Sequence, residues 1–347
     1  MDTKHLDVTT ENIEVAAQIL QEGGLVAFPT ETVYGLGANA FDEVAVGKVY
    51  AAKGRPSDNP MIVHIAEKEE LKQLTPVITP LMTTLMEVFW PGPLTMVVPK
   101  IQGIPDVTTG GLDTVGIRLP SNHTARELIK KAGCPVAAPS ANVSGRPSPT
   151  KAVHVVEDLE GRIDAILMGK DCQVGIESTV VDVSGDNVMV LRPGIITQQE
   201  LQDAVAGLGK RVELDPALFI NRPRDVSAEG LLEAVSEDFK PKAPGMKYKH
   251  YAPKAEMMII AGEMDKVNAE IQKLQIENEQ NDKKVGVIIF ADTEFKQAAH
   301  DFFAKLREFD AQGVDLILAG ALDDSDGVGF AVMNRMMKSA GYNVIKL

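Results

Sequence analysis

Leu25-Val26-Ala27-Phe28-Pro29-Thr30-Glu31-Thr32-Val33-Tyr34-Gly35 is a short apolar run that a proline breaks into a polar turn, as expected of a buried strand that ends in a loop. What precedes it has helical period: Ile13, Ala16, Ala17 and Leu20 share one face, Glu11 and Glu14 occupy the first turn, and Gly23-Gly24 supplies the stop. The same helix-then-strand grammar recurs. Asp42 is placed to cap a helix reaching Ala52, Met61 to Ile65 reads as a strand, and Thr79-Pro80 opens a helix with proline at its tolerated first position. Further strands are expected at Leu94 to Val98, Thr114 to Leu119, Val136 to Ala138, Ile163 to Met168, Ser178 to Val183 and Val188 to Leu191, with helices near 123–132 and 151–159. Thr197-Gln198-Gln199-Glu200 has capping-box spacing and opens one more helix. This alternation is that of an α/β fold.

From Gly209 the periodicity fades and prolines accumulate, ending in Ala243-Pro244-Gly245-Met246-Lys247-Tyr248-Lys249-His250-Tyr251-Ala252-Pro253, a stretch too rich in aromatic and basic groups for a passive spacer. The pattern then restarts, with strands at Met257 to Ala261, Val285 to Phe290 and Leu316 to Leu318 and helices near 263–278, 295–308 and 328–340. The expected organisation is therefore an α/β domain over 1–208, a linker over 209–253 and a smaller α/β domain over 254–347. A chain of 347 residues suits two cores at roughly 150 residues each.

A formal net charge of -14 argues against wholesale electrostatic binding of nucleic acid, so any basic surface is local. Cys134 and Cys172 stand far apart, outside any paired metal spacing, which suits a reducing compartment rather than a disulfide scaffold or a cysteine zinc site. The N-terminal residues carry no apolar signal core and no stretch approaches bilayer length, so a cytoplasmic protein without membrane contact is expected.

Two segments suit an anion. Lys53-Gly54-Arg55-Pro56-Ser57-Asp58-Asn59-Pro60 crowds two cations between rigid and permissive backbone. Pro139-Ser140-Ala141-Asn142-Val143-Ser144-Gly145-Arg146-Pro147-Ser148-Pro149-Thr150 follows a strand and offers hydroxyls, an amide and an arginine, where open α/β sheets hold ligands. No Walker motif is present, so ATP would be bound without a P-loop. Gly35-Leu36-Gly37-Ala38-Asn39-Ala40 matches dinucleotide glycine spacing only weakly, because a long polar turn precedes it. Asp323-Asp324-Ser325-Asp326-Gly327 does not meet the calcium-loop spacing and reads as an acidic turn before a helix.

Pro29 to Leu36, Lys53-Gly54-Arg55-Pro56, Pro91-Gly92-Pro93-Leu94-Thr95, Arg118-Leu119-Pro120 and Pro139-Ser140-Ala141-Asn142, in this order, resemble the YrdC-type threonylcarbamoyl-AMP synthase family. The resemblance covers roughly residues 10–200. Pro244 to Pro253 and Gly327-Val328-Gly329-Phe330-Ala331-Val332-Met333-Asn334-Arg335 resemble the linker and C-terminal domain of its longer form. It implies a twisted mixed sheet with flanking helices and a concave basic site, followed by a Rossmann-like α/β domain. It also implies a nucleotidyltransferase that joins L-threonine, bicarbonate and ATP into threonylcarbamoyl-AMP and pyrophosphate, with magnesium accompanying ATP. The product serves threonylcarbamoyladenosine formation beside the tRNA anticodon, with handover to the tRNA threonylcarbamoyl-transfer machinery.

Carried over by motif, Lys53, Arg55, Ser140 and Asn142 contact the reacting phosphates, and Asn59, Thr114, Ser148 and Arg192 complete the ATP site. Arg118 meets the threonine carboxylate through a bidentate fork, with Thr32, His64, Ala138 and Ser178 lining the amino-acid pocket. Lys247, His250 and Tyr251 are expected to fold over the nucleotide as a linker lid, the alternative being a docked interdomain strap, and no resident metal site is expected. The alternative kept beside this is an RNA-binding or ribosome-associated module that uses the same basic concavity. The hydrogenase-maturation carbamoyltransferase, which also contains a YrdC-type domain, would bring cysteine-paired zinc motifs that two lone cysteines cannot supply.

Overall fold

The computed structural model describes residues 2–219, 250–291, 293–325 and 327–347. In the N-terminal part the strands are β1 (Lys4–Asp7), β2 (Val26–Phe28), β3 (Gly35–Asn39), β4 (Ile62–His64), β5 (Leu94–Pro99), β6 (Thr114–Arg118), β7 (Val136–Ala137), β8 (Ala165–Met168), β9 (Thr179–Asp182), β10 (Val188–Arg192) and β11 (Val212–Leu214). They form one mixed sheet in the order β1-β8-β2-β3-β7-β4-β6-β5-β9-β10-β11. Around it lie α1 (Thr10–Gln21), α2 (Glu43–Lys53), α3 (Pro80–Phe89), α4 (Asp106–Thr109), α5 (His123–Ala132), α6 (Ala152–Leu159) and α7 (Gln198–Val205). The C-terminal unit is a parallel sheet of β12 (Glu256–Ala261), β13 (Val285–Ile288), β14 (Leu316–Gly320) and β15 (Val344–Lys346), ordered β13-β14-β12-β15, with α8 (Met264–Glu279), α9 (Phe295–Gln312) and α10 (Gly327–Ser339).

Local chemistry explains the element ends. Thr9, Asp42, Thr79 and Asn122 each accept a backbone N–H at a helix start, and Thr197 and Glu200 close a full capping box on α7. Each such cap contributes about 1 kcal/mol. The large sheet buries its helices through Leu36, Val46, Val63, Leu85, Met96 and Ile117, all nearly free of solvent contact. A second core, built on Ile259, Phe302, Phe303, Ile317 and Val332, also takes in Val33 and Ile176 from the N-terminal part. The two sheets therefore share apolar packing at the turns that carry the candidate site.

The glycine-rich stretch at 35–40 is a strand, not a phosphate turn. β3 pairs antiparallel with β2 and β7, and a Cβ on Gly37 would stand 2.7 Å from Val136 and 2.9 Å from the Phe28 ring. β11 adds to the large sheet beside β10, so that sheet continues past the expected edge at residue 208. The acidic turn behaves as expected, with Ser325 N–H donating to the Asp323 carboxylate before α10. Among the described residues no helix is long and apolar enough to cross a membrane.

Candidate active site

Parallel β4 and β6 run side by side with His64 opposite Arg118, and β7 lies antiparallel on the other edge of β4. In this register His64 pairs with Val136 and Ala138 N–H donates to Ile62 O, so the segment that follows β7 leaves beside the start of β4. The Pro29–Tyr34 turn closes over the same point, because Tyr34 N–H donates to Pro149 O, Ala141 N–H donates to Tyr34 O, and Gly35 bridges to Ser140. The result is a cavity of about 60 Å³. Of the residues singled out in the sequence, Thr32, Arg55, His64, Arg118, Ala138, Ser140, Ser178, Arg192, His250 and Tyr251 line it.

Arg118 is buried. It donates from NH1 to Thr32 Oγ1 at 2.9 Å, and its NH2 lies 2.7 Å from the Glu31 carboxylate. NH2 pairs with Glu31 by charge without a hydrogen bond, and neither Nε nor NH2 has a hydrogen-bond partner. Glu31 is the partner that the sequence left unassigned; its place in the Pro29–Leu36 turn was the available signal. His64 packs edge-on against Phe28, and burial together with Arg118 pulls its pKa down to about 3. Its ring is neutral near pH 7, and Nδ1 has no protein partner. Ser178 shares a hydrogen bond with Thr95 and accepts from Arg192, whose Nε also donates to Ser178 O. Burial lowers the Arg192 pKa.

Lys53 does not line the cavity. As the last residue of α2 it is enclosed beneath the 140–144 loop, and Nζ donates to the backbone carbonyls of Ser140 and Asn142. Burial first, and Arg55 second, hold its pKa well below the usual lysine value. Its neighbour Arg55 does reach the cavity; one nitrogen donates to Asn59 O and Pro60 O, while Nε has no partner. Burial lowers the Arg55 pKa to about 10, which leaves it charged near pH 7.

Asn142 faces its own loop, accepting from Ser140 Oγ at 2.6 Å and donating to Val143 O and Arg146 O. Asn59 is buried outside the cavity lining, and its carbonyl receives Tyr50 and Arg55. Thr114 begins β6, four residues before Arg118, which places it about 13 Å away along a strand.

Ser148 is fully buried and donates to Glu177 Oε1 at 2.5 Å. Glu177 lines the cavity, and its other oxygen accepts from Arg335 Nε of α10 at 3.2 Å. Burial raises the Glu177 pKa, but Arg335, Arg192 and the Ser148 hydrogen bond outweigh it and hold the carboxyl below its ordinary range. Tyr251 is buried with φ at 65°, a left-handed backbone that a tyrosine rarely adopts, and stacks 5.1 Å from Phe303. His250 and Tyr251 thus reach the cavity from the linker's end, whereas Lys247 lies outside the described residues. Among the described residues no group of three or more His, Cys, Asp or Glu is arranged to hold a metal ion.

Residues 18–194 match the family described as telomere recombination, whose model joins Sua5, YciO and YrdC proteins, and residues 196–341 match the threonylcarbamoyl-AMP synthase C-terminal domain. Threonylcarbamoyl-AMP synthase of Pyrococcus abyssi is 44% identical over 345 residues, covering 96% of both chains. That of Bacillus subtilis is 42% identical and covers 99% of this chain and 97% of its own. The crystal structure of P. abyssi Sua5 complexed with L-threonine superposes with a TM-score of 0.88 at 42% identity and covers 100% of both chains. The chain belongs to the threonylcarbamoyl-AMP synthase family, in the long form that carries a C-terminal domain.

Proposed function

We propose that this chain is a nucleotidyltransferase that condenses L-threonine, bicarbonate and ATP into threonylcarbamoyl-AMP and pyrophosphate, for threonylcarbamoyladenosine modification of tRNA. The observation that carries the reading is the pairing of a buried, oriented arginine, Arg118, and a neutral histidine, His64, with Arg55, Ser140 and Arg192 around one small cavity. An amino acid needs the first pair, and a polyphosphate needs the second group.

The amine of threonine first displaces water from bicarbonate and becomes a carbamate. A carbamate oxygen then attacks the α-phosphorus as the bond to pyrophosphate breaks. No protein nucleophile takes part, so alignment and charge stabilisation carry the rate. Arg118, held by Thr32 and Glu31, meets the amino acid's carboxylate from its unpartnered Nε side. His64 offers Nδ1 to the amino acid's polar groups without adding positive charge, and Ala138 and Ser178 complete that wall.

Arg55, Arg192 and the Ser140 hydroxyl stabilise charge that spreads over the phosphates. Lys53 and Asn142 act on the same loop from beneath, fixing where Ser140 stands. Asn59, Thr114 and Ser148 are assigned to ATP by their motif positions. Magnesium enters as the MgATP substrate, bound mainly by phosphates and water, since Glu31 and Glu177 are already engaged by arginines.

The linker acts as a lid. Lys247, His250 and Tyr251 close over the nucleotide and exclude water from the activated product. The product then passes to the tRNA threonylcarbamoyl-transfer machinery. The function is tested by pyrophosphate release from pure protein with ATP and bicarbonate against each amino acid in turn. Release that needs threonine and bicarbonate together is expected; release indifferent to either would rule the reaction out. Replacing residues 244–253 by a flexible linker should lower product yield and ATP affinity, and unchanged values would rule out the lid.

A further inference from the structure

The Arg335-bearing stretch of α10 has no role in the chemistry above, yet Arg335 has 0% solvent exposure and is among the largest fully buried side chains. Its guanidinium points out of its own unit: Nε donates to Glu177 and NH1 donates to Pro193 O, beside Arg192. Glu177 in turn holds the Ser148 hydroxyl. On α9, Arg307 does the matching work one residue earlier, donating to Pro147 O at 2.7 Å and pairing with Asp158 at 2.8 Å. Asp158 also receives Val143 N–H and Arg146. Two arginines of the C-terminal unit thus hold adjacent residues of the segment that runs from Ser140 to Ser148.

We propose that Arg335 and Arg307 are positioning residues for the nucleotide side of the site: Arg335 fixes Glu177 and through it Ser148, while Arg307 fixes the backbone at Pro147. The assignment rests on the reading that Ser148 and Arg192 serve ATP. An arginine fork suits this task because it fixes direction as well as charge. Gly175, with φ at 84°, reinforces the arrangement; a Cβ there would collide with the backbone of Ala299 and His300, so α9 lies directly on the loop that leads to Glu177. The C-terminal unit becomes a working part of the enzyme rather than an appendage.

The test compares Arg335→Gln, Arg335→Lys, Arg307→Lys and Ser148→Ala with the full-length protein, using ATP and threonine kinetics and the pH profile of kcat/KM for ATP. Arg335→Gln should raise KM for ATP by about tenfold, the equivalent of one charge-assisted contact, and leave KM for threonine within about twofold of its starting value.

The charged and titratable groups facing Glu177 are Arg335 and Lys338 of α10, Arg192 of β10, and His250 and Tyr251 of the linker. Removing Arg335 takes away the largest of the influences that lower the Glu177 pKa. The carboxylate then needs higher pH to form, and the acid limb of the ATP profile moves upward. A purely structural role would lower kcat in proportion to folded protein and move neither KM nor that limb. If Arg335→Gln fails to fold, Arg335→Lys and Ser148→Ala decide: a raised KM for ATP in both supports the assignment, and an unchanged KM in either overturns it. Arg307→Lys should also raise KM for ATP, and an unchanged value removes Arg307 from the proposal. A wild-type enzyme that does not consume ATP with threonine and bicarbonate would instead overturn the reading on which the inference stands.

Discussion

Arg118 shows how a single side chain is tuned before any substrate arrives. Its partners Thr32 and Glu31 restrict its direction, so its replacement should act on one substrate only. Arg118→Lys keeps the charge and loses the planar fork; KM for threonine should rise about ten- to a hundredfold while KM for ATP changes little, read by initial rates. Lys53 belongs to a different category. Its amine satisfies two backbone carbonyls beneath the Ser140 loop, and Lys53→Met leaves both without a donor. Loss of about 1–3 kcal/mol of stability, together with lower kcat/KM for ATP, is expected in denaturant melts and kinetics.

The histidines set the acid behaviour. His64, His154 and His250 are held neutral in the fold, with pKa values of about 3 against an ordinary 6.5. The unfolded chain binds protons that the folded chain refuses between those values, so stability present above about pH 6.5 is lost progressively as pH falls toward 3. Urea melts should show a lower midpoint at pH 5 than at pH 7, and His64→Asn should narrow that difference while His154 and His250 retain their share.

At the scale of elements, what could be read in advance follows from where the determinants lie. β2 and helices α1 to α3 announce themselves because their caps, breakers and apolar faces lie within a few residues of one another. β3 does not, because it holds no β-branched residue and its glycines are selected by Phe28 and Val136 on neighbouring strands. The edge strands β1, β11 and β15 are short and half polar, with no alternation long enough to count.

The candidate site divides in the same way. Motifs named Lys53, Arg55, Arg118 and Ser140, but only the fold turns the Lys53 amine toward the carbonyls of the Ser140 loop. Arg307 and Arg335 meet partners far away in sequence, which no spacing rule encodes. Gly175→Ala tests the packing of α9 directly; a side chain there meets backbone on the facing helix, and destabilisation of more than about 2 kcal/mol is expected in thermal or denaturant unfolding.

At the scale of the whole molecule, the two sheets are joined by apolar packing around Val33, Ile176 and Tyr251 and by the buried Arg307–Asp158 and Arg335–Glu177 pairs. Breaking a buried pair by removing one partner costs about 3–5 kcal/mol, so Asp158→Asn should lower stability measurably and weaken ATP use together. The cavity's cations are set in a narrow, partly enclosed space rather than spread over a surface, which suits a small charged substrate in a chain of net charge -14. The most direct test of that account supplies isotopically labelled bicarbonate with ATP and threonine and identifies the nucleotide product by mass. An adenylate that carries both the labelled carbon and threonine, formed with one pyrophosphate per molecule, is the predicted result; AMP or ADP without the label, formed at the same rate whether or not threonine is present, would contradict it.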